Sequence, residues 1–222
     1  MRPWLTEISL FEDVEPHSAA VNMAVDEVLL GVVGGPVLRV YRWARPAVSF
    51  GYFERWEPIL DAHPARDAVR RWTGGGVVLH GDDFTYSLLV PRCGDAAGLG
   101  PGGSYGVIHG ALCAALGDVG IGAGRAGVPG EKISQACFEN PVLHDVLVEG
   151  RKVAGAAQRR TRGGLIHQGS VQTVELPADF GAVFAARLAG AVVRAPDFDV
   201  GLAAERLAAG KYGTRAWLER RI

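Results

Sequence analysis

The sequence predicts an α+β fold built on a mixed or antiparallel sheet with flanking helices. Two observations carry this. Short alternating or apolar segments, bounded by glycine, proline and aspartate, recur along the chain. The few longer stretches with helical periodicity do not alternate regularly with them, as a parallel βαβ sheet would require.

In order, Leu5 to Phe11 alternates as a strand, and His17 to Leu30 has an apolar helical period with Ser18 as its cap. Val37 to Trp43 and Ala47 to Tyr52 read as strands paired around Ala44-Arg45-Pro46. Ala68 to Trp72 is a strand that runs into Thr73-Gly74-Gly75-Gly76. Val77 to His80 and Phe84 to Val90 read as a hairpin around Gly81-Asp82-Asp83. Residues 92–103, rich in glycine and proline, read as a loop. Tyr105 to Val119 is a helix capped by Ser104, and 122–136 reads as irregular. His144 to Val148 and Lys152 to Ala157 form a hairpin around Glu149-Gly150, and Leu165 to Val174 is a further strand. The tail from Ala178 is helical with a break near Pro196.

At 222 residues, 48% apolar and 21% charged, the chain has the size and composition of a single globular domain over 1–222. Its apolar runs are too short to span a bilayer, and Met1 to Leu5 lacks the apolar stretch of a secretory signal. The expectation is therefore a cytoplasmic protein, a monomer by default, with no membrane partner. Cys93, Cys113 and Cys137 are odd in number and widely spaced, which excludes a disulfide framework or a zinc knuckle. A net charge of −1 argues against nucleic acid as a partner. The positive charge is still clustered, at Arg70-Arg71, Arg151-Lys152 and Arg159 to Arg162. Two readings stay open: solvated faces, or a basic rim that receives an acidic partner or a phosphate.

Some motifs drop out. Gly122 to Gly127 matches G-x-G-x-x-G, but it follows a helix and runs into Val128-Pro129-Gly130, the wrong context for a nucleotide. Walker A and H-E-x-x-H sequences are lacking, and no spacing suggests a metal site. His17, His63 and His109 read as isolated.

Three stretches carry chemistry. In Arg70 to His80, Gly74, Gly75 and Gly76 follow a strand and let a ligand lie against bare backbone. In Gln135-Ala136-Cys137-Phe138-Glu139-Asn140, a cysteine sits in a polar, irregular segment, unlike Cys113 in its apolar helix. In Glu149 to Arg160, Lys152 stands between a turn and a strand of small residues, where little would cover it. A lysine there could hold a carbonyl or phosphate oxygen, or lower the pKa of a thiol.

Together these stretches resemble the lipoate-attachment (biotin/lipoate A/B protein ligase) family of lipoate–protein ligases and octanoyltransferases. The carrying residues are Arg70-Arg71, Thr73 to Gly76 and His80, then Gly150 to Arg160, then His167 with Gly169-Ser170. Asn22 to Glu27 and Val48 to Phe53 add to it, and the resemblance runs from about residue 5 to 175. It implies a biotin/lipoate ligase-like catalytic domain, with no separate C-terminal accessory domain expected here. Cys137 in Ala-Cys-Phe-Glu-Asn-Pro is similar to the cysteine-dependent octanoyltransferase branch, whereas Gly76 is more usual in ligases. The transferase reading implies octanoyl-acyl carrier protein as donor, a lipoyl domain or glycine cleavage H protein as acceptor, and no cofactor. The ligase reading implies ATP and Mg. A transferase acting between two lipoyl-type proteins, and a non-catalytic lipoyl-domain-binding subunit, are further alternatives. The resemblance implies Cys137 and Lys152 as catalytic. It implies Arg71, Thr73, Gly74, Gly75, Gly76, His80, Gly155, Ala156, His167 and Gly169 as substrate-binding.

Overall fold

The computed structural model describes residues 3–92, 99–127, 142–196 and 198–221. The elements run β1 (Leu5–His17), α1 (Ala19–Val32), β2 (Val37–Trp43), β3 (Ala47–Phe50), α2 (Glu57–Ala62), β4 (Asp67–Arg70), β5 (Val77–His80) and β6 (Phe84–Pro91). They continue with α3 (Pro101–Asp118), β7 (Ala123–Arg125), β8 (Val146–Val148), β9 (Arg151–Arg160), β10 (Gly164–Val171), α4 (Phe180–Leu188), β11 (Ala189–Arg194) and α5 (Gly201–Leu207). A π-helical turn (Ala208–Tyr212) and α6 (Arg215–Leu218) follow. No helix among the described residues is long and apolar enough to cross a membrane.

The fold is α+β, as the sequence predicts. An eight-stranded sheet has the order β11-β1-β2-β6-β10-β9-β8-β7, and a three-stranded sheet the order β4-β3-β5. In the large sheet β11, β1 and β2 run parallel, and the pairs from β2 to β7 are antiparallel. One face packs α3 and α4, joining Leu38, Tyr86, Leu88 and Val90 to Ile108, Leu112, Phe180 and Phe184. The other face packs α1 and the C-terminal turns, joining Val37, Tyr41, Leu89 and Ile166 to Met23, Leu29, Tyr212 and Trp217. The small sheet lies over part of this second face. Central strands covered on both sides lose the alternation of polarity that a half-solvated sheet would show.

Several local expectations hold. Ser18 caps α1, its hydroxyl accepting from the Val21 amide. The β8–β9 turn forms at Glu149 and Gly150, both with positive φ, where glycine pays no Cβ penalty.

The strand partners differ from expectation. β2 and β3 do not pair: β2 lies between β1 and β6, whereas β3 lies between β4 and β5. Likewise Val77–His80 and Phe84–Pro91 are not a hairpin, because the turn at 81–83 hands the chain from the small sheet to the large one. Helix α3 begins at Pro101 behind Gly100, so Ser104 is not its cap; proline at the first turn needs no amide partner. Ser104 is buried instead and donates to Gln158 Oε1. Ala123–Arg125 is a strand rather than irregular chain, and the helical tail is interrupted by β11, an edge strand paired with β1. Strand β10 stops at Val171, before Thr173 turns to positive φ.

Arg70 is the largest departure from a solvated charge. Its side chain is buried, donating to the carbonyls of Tyr52 and Glu54 and to those of Trp217 and Leu218 in α6. Trp217 returns an indole hydrogen bond to the Arg70 carbonyl. The C-terminal turns are thus locked to the strand that leads into the glycine run.

Candidate active site

A narrow, mostly apolar slot lies between the two sheets and encloses about 420 Å³ of empty space, the open solvent at its mouth included. Its floor is the second face of the large sheet, with Tyr41 and Trp43 from β2, Thr85 from β6, Gln168 to Ser170 from β10 and Gly155 to Ala157 from β9. Its roof is the small sheet and the glycine run, with Ser49, Arg71, Gly75, Val78 and His80; Met23 of α1 completes the wall.

Glycines make the slot possible. Any Cβ on Gly169 would meet the Tyr86 ring at 2.3 Å, so the close packing behind the sheet needs glycine there. Gly75 has φ +83°, and a Cβ on Gly51 would stand 1.8 Å from the Gly75 carbonyl oxygen. The two segments therefore touch backbone to backbone, which only glycine allows.

The roof is held by a chain of charge-assisted hydrogen bonds. Arg71 Nη2 donates to the carbonyls of Gly74 and Gly76, and Nη1 donates to Ser49 Oγ at 2.7 Å. Ser49 Oγ lies 2.7 Å from His80 Nε2, and His80 Nδ1 lies 2.8 Å from Asp83 Oδ2. With Asp83 ionised, Nδ1 carries the proton and Nε2 accepts from the Ser49 hydroxyl. Asp83 Oδ2 also accepts from Thr85 and Ser170, at 2.8 and 2.6 Å. Burial alone would raise the Asp83 pKa, but the hydrogen bonds from His80, Ser170 and the Gly81 amide hold it at about 2. Burial lowers the His80 pKa despite that carboxylate, so the ring stays neutral.

Lys152 stands at the β9 side. Its side chain is 1% exposed, not open as the sequence suggests, and its ammonium pairs with Asp145 Oδ2 at 2.7 Å. Gly155, which lines the slot, would place a Cβ 2.9 Å from Lys152 Nζ, so the ammonium lies directly against that wall. Asp145 Oδ1 accepts from the Tyr105 hydroxyl at 2.6 Å, and the Tyr105 hydroxyl accepts from the Ala156 amide. The Tyr105 ring lies 4.2 Å from that of His109, which lies 5.5 Å from that of His167. His109 is therefore not isolated.

The residues singled out from sequence divide accordingly. Arg71, Gly75, His80, Gly155, Ala156 and Gly169 line the slot. Gly74 and Gly76 offer their carbonyls to Arg71. Thr73 is buried beneath the loop and donates to Gln168 Oε1; the Gln168 amide donates to Asp26, which pairs with Arg39. His167 lies on the opposite face of the sheet, where the Gln158 amide donates to Nδ1 and Tyr86 Oη is 3.1 Å from Nε2. Cys137 and its neighbours lie outside the described residues, as does Cys93. The basic clusters part company: Arg70 and Arg71 are buried, and Arg159 donates to the Trp72 carbonyl beside them, while Arg151, Arg160 and Arg162 are exposed. Among the described residues no His, Cys, Asp or Glu group could hold a metal.

Sequence reasoning missed Ser49, Asp83, Tyr105 and Asp145. Asp83 looked like an ordinary turn residue, and Asp145 is a single acid in a short strand region. Only their convergence from separate segments marks them.

Residues 18–184 match the model of the lipoyl protein ligase A/B catalytic domain. The chain is 35% identical to octanoyltransferase LipM of Oceanobacillus iheyensis over 171 residues, which are 72% of this chain and 62% of the relative. It is 39% identical to octanoyltransferase LipM of Kyrpidia tusciae over 171 residues, 69% of this chain and 62% of the relative. The match thus spans about three fifths of the length of these relatives. Among solved structures, a lipoate-protein ligase A bound with ATP superimposes with a TM-score of 0.74 at 21% identity, covering 98% of this chain and 100% of that one. A bi-partite lipoate protein ligase from Thermoplasma acidophilum, solved with its E2 lipoyl domain, gives 0.70 at 20% identity, with 97% and 96% coverage. At these identities the structures speak for the fold.

Proposed function

Because the chain belongs to the lipoyl protein ligase A/B catalytic domain family, we propose that it is an octanoyltransferase of lipoate biosynthesis. It takes an octanoyl group from acyl carrier protein, holds it as a thioester on Cys137, and passes it to a lysine of a lipoyl domain or of glycine cleavage H protein. The supporting observation is the slot itself: a narrow apolar groove with the buried ammonium of Lys152 at one wall. An apolar groove suits an acyl chain, and the ammonium suits its carbonyl end.

The chemistry runs in two steps. The Cys137 thiolate attacks the carbonyl carbon of the donor thioester, and the bond to the carrier's sulfur breaks as the new thioester forms. The carrier leaves as a thiolate and takes up a proton. A neutral lysine amine of the acceptor then attacks the Cys137 thioester, the C–S bond breaks, and the amide nitrogen gives up a proton. Thioester exchange is nearly isoenergetic and amide formation is downhill, so no nucleoside triphosphate is consumed. Lys152 favours the thiolate and the tetrahedral oxyanion, an effect of roughly 3–4 kcal/mol per well-placed donor. Asp145 and Tyr105 hold Lys152 in position.

The test is the intact mass of the protein mixed with octanoyl-acyl carrier protein without ATP. One octanoyl adduct, released by hydroxylamine and lost in Cys137→Ala, is expected. No adduct, together with ATP-dependent modification of a lipoyl domain from free octanoate or lipoate, would replace this reading with a ligase. An adduct formed only from an octanoylated lipoyl-type protein would make the enzyme a transferase between such proteins.

A further inference from the structure

The slot has two unlike ends. Gly155, Ser170, Thr85 and Tyr41 lie in register across β9, β10, β6 and β2, all lining the slot. The row spans three strand spacings of about 4.8 Å, or about 14 Å in all. At the β9 end the walls are small, Gly155 and its neighbouring alanines, and Lys152 stands beside them. At the β2 end the two sheets meet through side chains. Trp43 of the large sheet stacks on His80 of the small sheet, with ring centroids 4.1 Å apart and planes 19° from parallel. The stack is fixed on both sides: the Trp43 indole donates to Thr85 Oγ1 at 2.9 Å, and Asp83 holds the His80 ring.

We infer that Trp43, pinned on His80, is the end-stop that sets acyl chain length. The inference rests on the transferase reading above. An acyl chain with its carbonyl at Lys152 runs across the strands towards Trp43. Once the girth of the closing residues is taken off the row, a medium-length chain fits extended and a long one does not. The indole is rigid, buried and held by His80 and Thr85, so added methylenes meet a wall that cannot swing aside.

The experiment measures transfer of hexanoyl, octanoyl, decanoyl and dodecanoyl groups from acyl carrier protein to a lipoyl domain, by product mass. The wild type is expected to favour octanoyl. Trp43→Ala is expected to raise the dodecanoyl-to-octanoyl ratio of kcat/KM by about tenfold or more, the usual discrimination per methylene in an apolar pocket. Val78→Phe, which fills the slot short of the stack, is expected to shift preference towards hexanoyl by a similar factor. If Trp43→Ala does not fold, Trp43→Phe and Val78→Phe carry the test. A wild type that transfers dodecanoyl as fast as octanoyl, or variants that keep the wild-type profile within about twofold, overturn the end-stop alone. A wild type that transfers none of the four overturns the transferase reading.

Discussion

Two buried histidines lie on opposite faces of the same sheet region, and their surroundings divide the labour of the site. His80 borders the slot and is bound to an ionised carboxylate, a serine and, through that serine, Arg71. His167 lies behind the slot among Gln158, Tyr86, Tyr105 and His109, with no carboxylate bonded to its ring among the described residues. Both are neutral, since burial lowers both pKa values. The slot-side network shapes the roof and the closed end. The back-side cluster runs through Tyr105 to Asp145 and so supports Lys152. Two histidines of similar family standing therefore do different things, and only the sheet between them separates the roles.

The largest expected effect strikes the back side. Asp145→Asn removes the carboxylate from a buried ion pair, and urea unfolding should show a loss of about 3–5 kcal/mol. Octanoyl transfer should fall with it, because Lys152 loses its position. A loss below about 1 kcal/mol would mean that the pair is not closed in solution.

Acid should separate the two sides next. Burial depresses the His109 pKa to about 4, although its Nδ1–H donates to the His144 carbonyl. The unfolded state then binds more protons below the ordinary value of about 6.5, so stability is full above that pH and falls below it. The expected loss from His109 is about 2 kcal/mol between pH 7 and 5 and about 3 kcal/mol by pH 4. His80 and His167 add to the same window, with the same sign. Asp83, held at about 2, acts lower: its contribution is present above about pH 4 and is lost as pH falls towards 2. Unfolding free energy followed from pH 7 to 3 should fall from about pH 6.5 onwards, and His109→Gln should flatten the upper limb. A flat profile down to pH 4.5 would contradict neutral buried histidines.

On the slot side, Asp83→Asn should cost about 2 kcal/mol in thermal or urea unfolding, because His80, Thr85 and Ser170 lose a charged acceptor. It should also free the Trp43–His80 stack and broaden chain-length preference. An unchanged preference with the expected loss of stability would reduce Asp83 to a structural role. The smallest effect is expected at Thr73→Val, about 1 kcal/mol, since one buried hydrogen bond to Gln168 is lost. Transfer kinetics close to wild type would confirm Thr73 as a support of the loop rather than a contact to substrate.

Sequence alone determined what local chemistry determines. Helix α1 and its Ser18 cap, the Glu149-Gly150 turn, the strand-like segments and the glycine run are all set by neighbours a few residues apart. Tertiary structure decided the rest. A strand's two-residue period says which side chains share a face, but not which face is buried, nor which strand lies alongside. Hence β2 and β3 looked like a pair and went to different sheets, and His80 and His167 looked alike and went to opposite faces. Arg70 read either as a solvated face or as part of a basic rim, yet carbonyls of α6, far along the chain, enclose it. A buried charge or polar ring must be matched wherever the chain folds back, and those partners are chosen by topology rather than by sequence spacing.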